Sequence, residues 1–545
     1  MSNPAEFDEL LDARTNPIGT TEAHAREPIG SRLDDWWDSR TPLTHTLLRW
    51  AGPAIVVIIA AATRLWNLGA PHSLVFDETF YVKDAWSLWN LGYESAWPAE
   101  ADTLFAGGQT GIFLTDPSFV VHPPLAKWLI ALGMAAFGPD NSFGWRVSTA
   151  IVGILAVILI MLVAKKLFGS TLLATIAGLL MAIEGNAIVM SRVALLDNYV
   201  MFFALIGFGC ILMDRQFSAV RLSAWVHERE SSSRSLDWGP AMLWRPWLIA
   251  AGVAFGATAA VKWSGLYFLA GFAIYTLAVD AIARRRAGSP FWLSGTTFKQ
   301  APLTFLLTVP IALAVYLSTW AGWFLSDNGY NRQWATEPGN AWSGILSWVP
   351  LSIQSLWHFE SSVYAYHVGE NRPHGYQANT LTWLFMVRPT SMWYQGSARG
   401  DNGCEWDACG ASIAGIANPI IWWAATAAIL YLVYRLVRFR EWRVGLILMG
   451  LAAGYLPWLL YLNRTVFQFY TIAFEPYMLL ALTFAIGLML GSRDDPSWRR
   501  VSGMRVVAVF LIMAILVSIF FWPLWSGIQL DYNYLRAHWW LDSWR

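Results

Sequence analysis

Leu125-Ala126-Lys127-Trp128-Leu129-Ile130-Ala131-Leu132-Gly133-Met134-Ala135-Ala136-Phe137 is apolar enough for a membrane helix and too short to cross a membrane. A hydrocarbon core about 30 Å thick asks for roughly 20 helical residues. The segment is therefore expected to lie along the interface. Eleven other segments have spanning length: about 47–65, 147–164, 170–190, 195–213, 246–261, 265–283, 301–320, 419–434, 444–462, 473–491 and 504–522. If 125–137 lies flat, 24 of the 37 basic residues fall on one side, on short loops and the amino-terminal tail. Basic residues gather on the cytoplasmic side of membrane proteins. The expected topology has a cytoplasmic amino terminus, eleven spans and an outer carboxyl terminus.

The composition agrees with that class. The chain is 56% hydrophobic and 14% charged with 34 tryptophans, too apolar for an ordinary soluble protein. Its 37 basic and 37 acidic residues cancel, so a nucleic-acid partner has no electrostatic footprint. Residues 1–46 carry Pro4, Pro17, Pro28 and mixed charges with little apolar periodicity, the pattern of a disordered cytoplasmic tail. No signal peptide is read there, because the charged stretch before the first apolar run is too long. Two long segments face outward, 66–146 and 321–418, both rich in aromatic residues, and function is expected in them. Three cysteines make no disulfide scaffold, and no zinc spacing occurs. Cys404 and Cys409 lie in the second outer loop and are expected to pair, with Cys210 a free thiol inside a span.

Val75-Phe76-Asp77-Glu78-Thr79-Phe80-Tyr81-Val82-Lys83-Asp84 follows the first span. Asp77 is placed to cap a helix there, with Glu78 a first-turn acid favoured by the dipole; the same pair could equally do proton chemistry. Thr79, Lys83, Ser87 and Asn90 on one face against Val82, Trp86 and Trp89 on another predict an amphipathic interfacial helix. His122-Pro123-Pro124 feeds the flat helix with Lys127. Arg146, Arg192, Asp197, Lys262 and Arg464 also sit at the outer interface. Singly, each cation reads as an anchor, and Arg192 with Asp197 as a plain ion pair. Gathered where lipid phosphates lie, acids and cations together suit an enzyme acting on a lipid-linked phosphate. A transporter would instead place its ionisable residues near mid-membrane.

Phe76-Asp77-Glu78, His122-Pro123-Pro124-Leu125-Ala126-Lys127, Ser191-Arg192 with Leu196-Asp197, Val261-Lys262-Trp263-Ser264-Gly265, Arg388-Pro389-Thr390 and Phe467-Gln468-Phe469-Tyr470 resemble the protein O-mannosyltransferase family over roughly 47–545. The resemblance implies an all-α polytopic fold of the GT-C type, residues 47–545 forming one transmembrane mannosyltransferase domain with interfacial helices and a catalytic acid pair in its first outer loop. It implies transfer of mannose from polyprenyl-monophosphate-mannose to Ser or Thr hydroxyls of exported proteins at the plasma membrane, with inversion. Asp77 is then the general base and Glu78 its support. The second outer loop is too short for an inserted β-trefoil domain, which points to a bacterial member, and the Trp-rich end resembles actinobacterial ones. For the donor phosphate the candidates are Arg146 first, then Lys127 and Arg192, with Arg64, Arg388 and Arg464. Lys83, His122, Asp197, His367 and His374 are further site candidates. No essential metal is expected, Mg²⁺ or Mn²⁺ being left open, as is a translocon partner. The rival acceptor is a glycolipid or cell-wall polysaccharide, since fold does not fix substrate.

Overall fold

The computed structural model describes residues 39–492 and 494–545. Most of the tail expected over 1–46 lies outside these residues, as do Arg14, Arg26, Arg32 and Arg493. In the described part of that stretch a helix begins at Pro42, where the Thr41 hydroxyl accepts the Thr44 N–H at 3.3 Å and proline fills the first helical position.

Among the described residues, eight helices are long and apolar enough to cross a membrane: Pro42–Leu65, Ser142–Phe168, Asp197–Ser231, Gly265–Arg286, Trp292–Thr319, Pro419–Phe439, Trp442–Leu460 and Ser497–Ser526. A ninth span is broken into Thr171–Ile183 and Gly185–Arg192, bent by 61°. The break has a cause. Glu184 is extended (φ −76°, ψ 131°), and its carboxylate accepts the N–H groups of Ala187 and Asn418 at 2.9 and 2.8 Å. Pro246–Val261 and Glu475–Leu490 have 16 residues each and fall short of a full crossing. Length and composition therefore support eight or nine of the eleven expected spans.

Leu125–Phe137 forms a helix with the expected bounds, about 20 Å long. The Trp128 indole N–H donates to the Thr319 carbonyl at 3.0 Å, fastening this helix to the end of a span. Glu78–Leu91 packs beside it, burying Val82, Ala85 and Leu88. In the second long segment the helix Leu351–Gly369 was not anticipated. It locks onto the first segment through a separate apolar cluster of Val120, Trp320, Trp323, Leu356, Phe359 and Val363.

A small sheet accompanies the helical framework. Strands β1 (Ser391–Ala398), β2 (Ala408–Ala414) and β3 (Leu530–Asp531) form a small antiparallel sheet in the order β1-β2-β3. Tyr394 stands opposite Ser412, and Cys409 opposite Asp531. The β2 sequence, Ala-Cys-Gly-Ala-Ser-Ile-Ala, has no apolar alternation and so carries no strand signal. Cys404 and Cys409 are disulfide-bonded, and Cys210 is free.

Candidate active site

The two neighbouring acids have different duties. Glu78 is fully buried, and its carboxylate accepts from the Val75 N–H, the Ala194 N–H and the Arg146 guanidinium, at 2.8–2.9 Å. Asp77 precedes the helix in a helical conformation (φ −72°, ψ −1°), and its side chain makes no cap hydrogen bond. The capping reading therefore fails for Asp77, and Glu78 reaches back in its place. Asp77 is left to line a cavity of about 650 Å³.

The backbone is strained to achieve this. Phe76 sits in the left-handed region at φ +50°, which costs a non-glycine residue on the order of 1–3 kcal/mol. Its ring is held edge-on by Phe467, Phe469 and His374, with centroids 5.6–6.1 Å away. Those contacts keep the turn that aims Asp77 inward.

Around the same cavity stand Tyr81, Asp84, His122, Lys127, His367, His374 and Arg464. A narrower recess of about 120 Å³ shares His122, His367, Arg464 and Tyr470 with it and adds Asp197, Lys262 and Trp263. Burial pushes the Asp77 carboxyl up to about 6; Lys262 and a Tyr81 hydrogen bond oppose the rise and Asp197 adds to it. One helix repeat further on, Asp84 is raised to about 7 by burial, against the pull of Lys127. His122 is held well below the usual histidine range by burial and then by Lys262. His367 is lowered to about 4, by burial and then by Arg464.

His367 has a defined tautomer. Its Nε2 lies 2.9 Å from the Val121 carbonyl and so carries the proton, leaving Nδ1 to accept from Arg464 Nη2 at 2.9 Å. Arg464 has no carboxylate within ion-pair distance among the described residues. Lys127 is ion-paired with Glu94, and Lys262 with Asp197 at 2.7 Å. Among the described residues no group of three or more His, Cys, Asp or Glu is placed to hold a metal.

Several expected clamp residues stand elsewhere. Arg146, the first choice, is buried, with its guanidinium taken up by Glu78 and by the carbonyls of Leu68, Pro71 and Ser73. Arg64 donates to the carbonyls of Met181 and Ala182, at the end of the first half of the broken span. Arg192 donates to those of Thr63, Trp66 and Asn67, so its partner is not Asp197. Both fill the orphan carbonyls at a helix end. Arg388 ties Gly375 to Ser543 and Arg545. Lys83 pairs with Asp102 at 2.6 Å, outside the cavity lining. Asp84 and Tyr81 were missed, although the spacing Asp77, Tyr81, Asp84 is that of one helical face and gave a usable signal.

Residues 54–326 match the sequence profile described as dolichyl-phosphate-mannose-protein mannosyltransferase, and 352–544 that of the C-terminal four-transmembrane region of protein O-mannosyltransferase. The chain is 32% identical over 510 residues to the polyprenol-phosphate-mannose–protein mannosyltransferase of Mycolicibacterium smegmatis, covering 91% of this chain and 93% of that one. It is 30% identical over 503 residues to the protein of the same name in Corynebacterium glutamicum, with 91% and 93% covered. In three dimensions it is similar to a chain of the S. cerevisiae protein O-mannosyltransferase complex solved with its sugar donor. The TM-score is 0.68 at 16% identity, over 92% of this chain and 93% of that one, which establishes a common fold of the GT-C type. With its sequence matched almost end to end and its fold shared, the chain belongs to the dolichyl-phosphate-mannose-protein mannosyltransferase family.

Proposed function

We propose that this membrane glycosyltransferase moves mannose from a polyprenyl monophosphate to a Ser or Thr hydroxyl of an exported protein, with Asp77 as the base. The observation that carries the reading is the uncapped Asp77 carboxylate lining a cavity that Arg464 and His122 also line. The acceptor oxygen attacks the anomeric carbon as its proton passes to Asp77. The bond from that carbon to the phosphate oxygen breaks, and its electron pair leaves with the polyprenyl phosphate. A phosphate leaves without a general acid, so one base and one cation suffice for a single inverting displacement. Arg464 is the residue we assign to that phosphate, oriented by His367; Lys127 and Lys262 carry their own counter-ions. The retaining alternative, with two carboxyl groups facing each other across the bond, finds no support in Glu78, which is consumed by Arg146.

The basic residues on short loops support a cytoplasmic amino terminus and an active site on the outer face of the plasma membrane. The family match supports the protein acceptor, and the names of the bacterial relatives support the polyprenyl donor. The test is transfer of labelled mannose from polyprenyl-phosphate-mannose to a Thr-rich peptide by the purified chain. Asp77→Asn should lower transfer by roughly 10²–10⁴-fold while thermal unfolding and donor binding stay as in the wild type. Labelled glycolipid in place of labelled peptide, or an active Asp77→Asn, would overturn the reading.

A further inference from the structure

A second cavity, of about 530 Å³, opens beside the first, across the face of the small sheet. Tyr394 of β1 and Ser412 of β2 stand side by side in it. Thr390, Tyr376, Arg536 and Trp539 line it as well. Nothing in the mannosyl-transfer chemistry uses these residues.

Three observations say what the groove is for. The first is continuity. His374 lines the catalytic cavity and Tyr376 the groove, their rings 6.0 Å apart on one turn in which His374 Nδ1 accepts the Tyr376 N–H at 3.1 Å. Arg388 fixes this ridge, donating to the Gly375 carbonyl at 2.7 Å and standing 5.1 Å over the Tyr376 ring. The second is an unsatisfied group. Thr390 is 1% exposed and its hydroxyl has no partner among the described residues, an expensive omission for a buried donor. The third is chemistry. Tyr and Trp give rigid contact area, hydroxyls give adaptable hydrogen bonds, and no Asp or Glu side chain lines the groove. That mixture suits backbone amides of varied sequence. A polyprenyl tail would instead call for an apolar channel.

We infer that this groove binds the stretch of acceptor polypeptide flanking the hydroxyl residue, which crosses the His374–Tyr376 ridge from the catalytic cavity. The inference rests on the protein-acceptor reading above. It makes acceptor affinity depend on chain length, because a peptide confined to the catalytic cavity leaves the groove empty.

The test uses the purified full chain in lipid nanodiscs with polyprenyl-phosphate-mannose. A short capped peptide holding one Thr is compared with peptides prolonged on either side of it. For the wild type, prolonging one side should lower KM roughly tenfold, the effect of one good anchoring contact. Tyr394→Ala with Arg536→Ala changes two exposed side chains and should preserve thermal unfolding. It should raise the KM of the prolonged peptide to that of the short one and leave kcat and the short peptide's KM as they were. An unaltered KM for the prolonged peptide in the double variant, or no gain from prolonging either side, would overturn the groove while short-peptide transfer continues. Inhibition of prolonged-peptide transfer by a free mannoside in the wild type but not in the double variant would reassign the groove to sugar. Absence of transfer to every peptide would remove the acceptor reading itself, and the groove with it, a failure distinct from the others.

Discussion

Arg146 closes a two-point ion pair on Glu78, its Nε and Nη2 each 2.8 Å from a different carboxylate oxygen, with both side chains almost wholly buried. The pair joins the start of the 142–168 span to the turn that carries Asp77, and the remaining guanidinium protons hold three carbonyls of the 68–73 loop. Removing one partner strands a buried charge, which costs about 3–5 kcal/mol. Arg146→Ala and Glu78→Gln should therefore lower the unfolding temperature and the yield of folded protein. Donor KM in the surviving fraction should stay at the wild-type value. A raised donor KM at unchanged stability would put Arg146 back on the phosphate.

The rate should follow the ionisation of Asp77. Burial lifts its folded pKa to about 6, favouring the neutral form, whereas a base works only ionised. kcat/KM should rise about tenfold per pH unit below 6 and level off above it. Asp84, raised to about 7 in the same cavity, is the competing group. Asp84→Asn should keep the limb near 6, and Asp77→Asn should abolish it in the residual rate. The opposite pattern would exchange their roles.

Phe76 links fold to chemistry. Truncation to Ala removes three edge-on ring contacts, each worth about 0.5–1.5 kcal/mol, that hold the backbone in its left-handed state. The turn should relax and Asp77 move, lowering kcat by roughly 10²-fold, the scale of an ångström misplacement. Donor KM should change little, which separates misaimed base from lost binding. Wild-type kcat in Phe76→Ala would show that the turn holds itself.

The helical framework was legible because spans announce themselves by apolar length, and the 125–137 helix because its brevity is visible in the same way. The clamp was not. An isolated arginine at a helix end reads alike whether it serves a lipid phosphate or a row of orphan carbonyls, and Arg64, Arg146 and Arg192 all serve carbonyls. Asp77 and Glu78 were likewise inseparable as neighbours in a string. Only the partners brought from the 142–168 span and from Ala194 decide which of them lines the cavity.

Arg464 is the cation we propose for the donor phosphate, and His367 holds its guanidinium in place. The neutral ring spends its proton on the Val121 carbonyl and offers Nδ1 to the guanidinium. Arg464→Ala should raise donor KM roughly 10–100-fold, the loss of a charged hydrogen bond. Lysine should restore part of it, lacking the forked geometry. His367→Ala should weaken donor binding less, and His367→Gln should recover some of the loss, since its amide can both donate and accept. Because burial and Arg464 hold His367 to about 4, its protonation should not bend donor affinity between pH 5 and 8, where an ordinary histidine would titrate. Donor binding measured without acceptor separates this from the Asp77 limb. A midpoint near 6.5 in that curve, lost in His367→Gln, would mean the ring is charged in use and that Arg464 is repelled rather than guided by it.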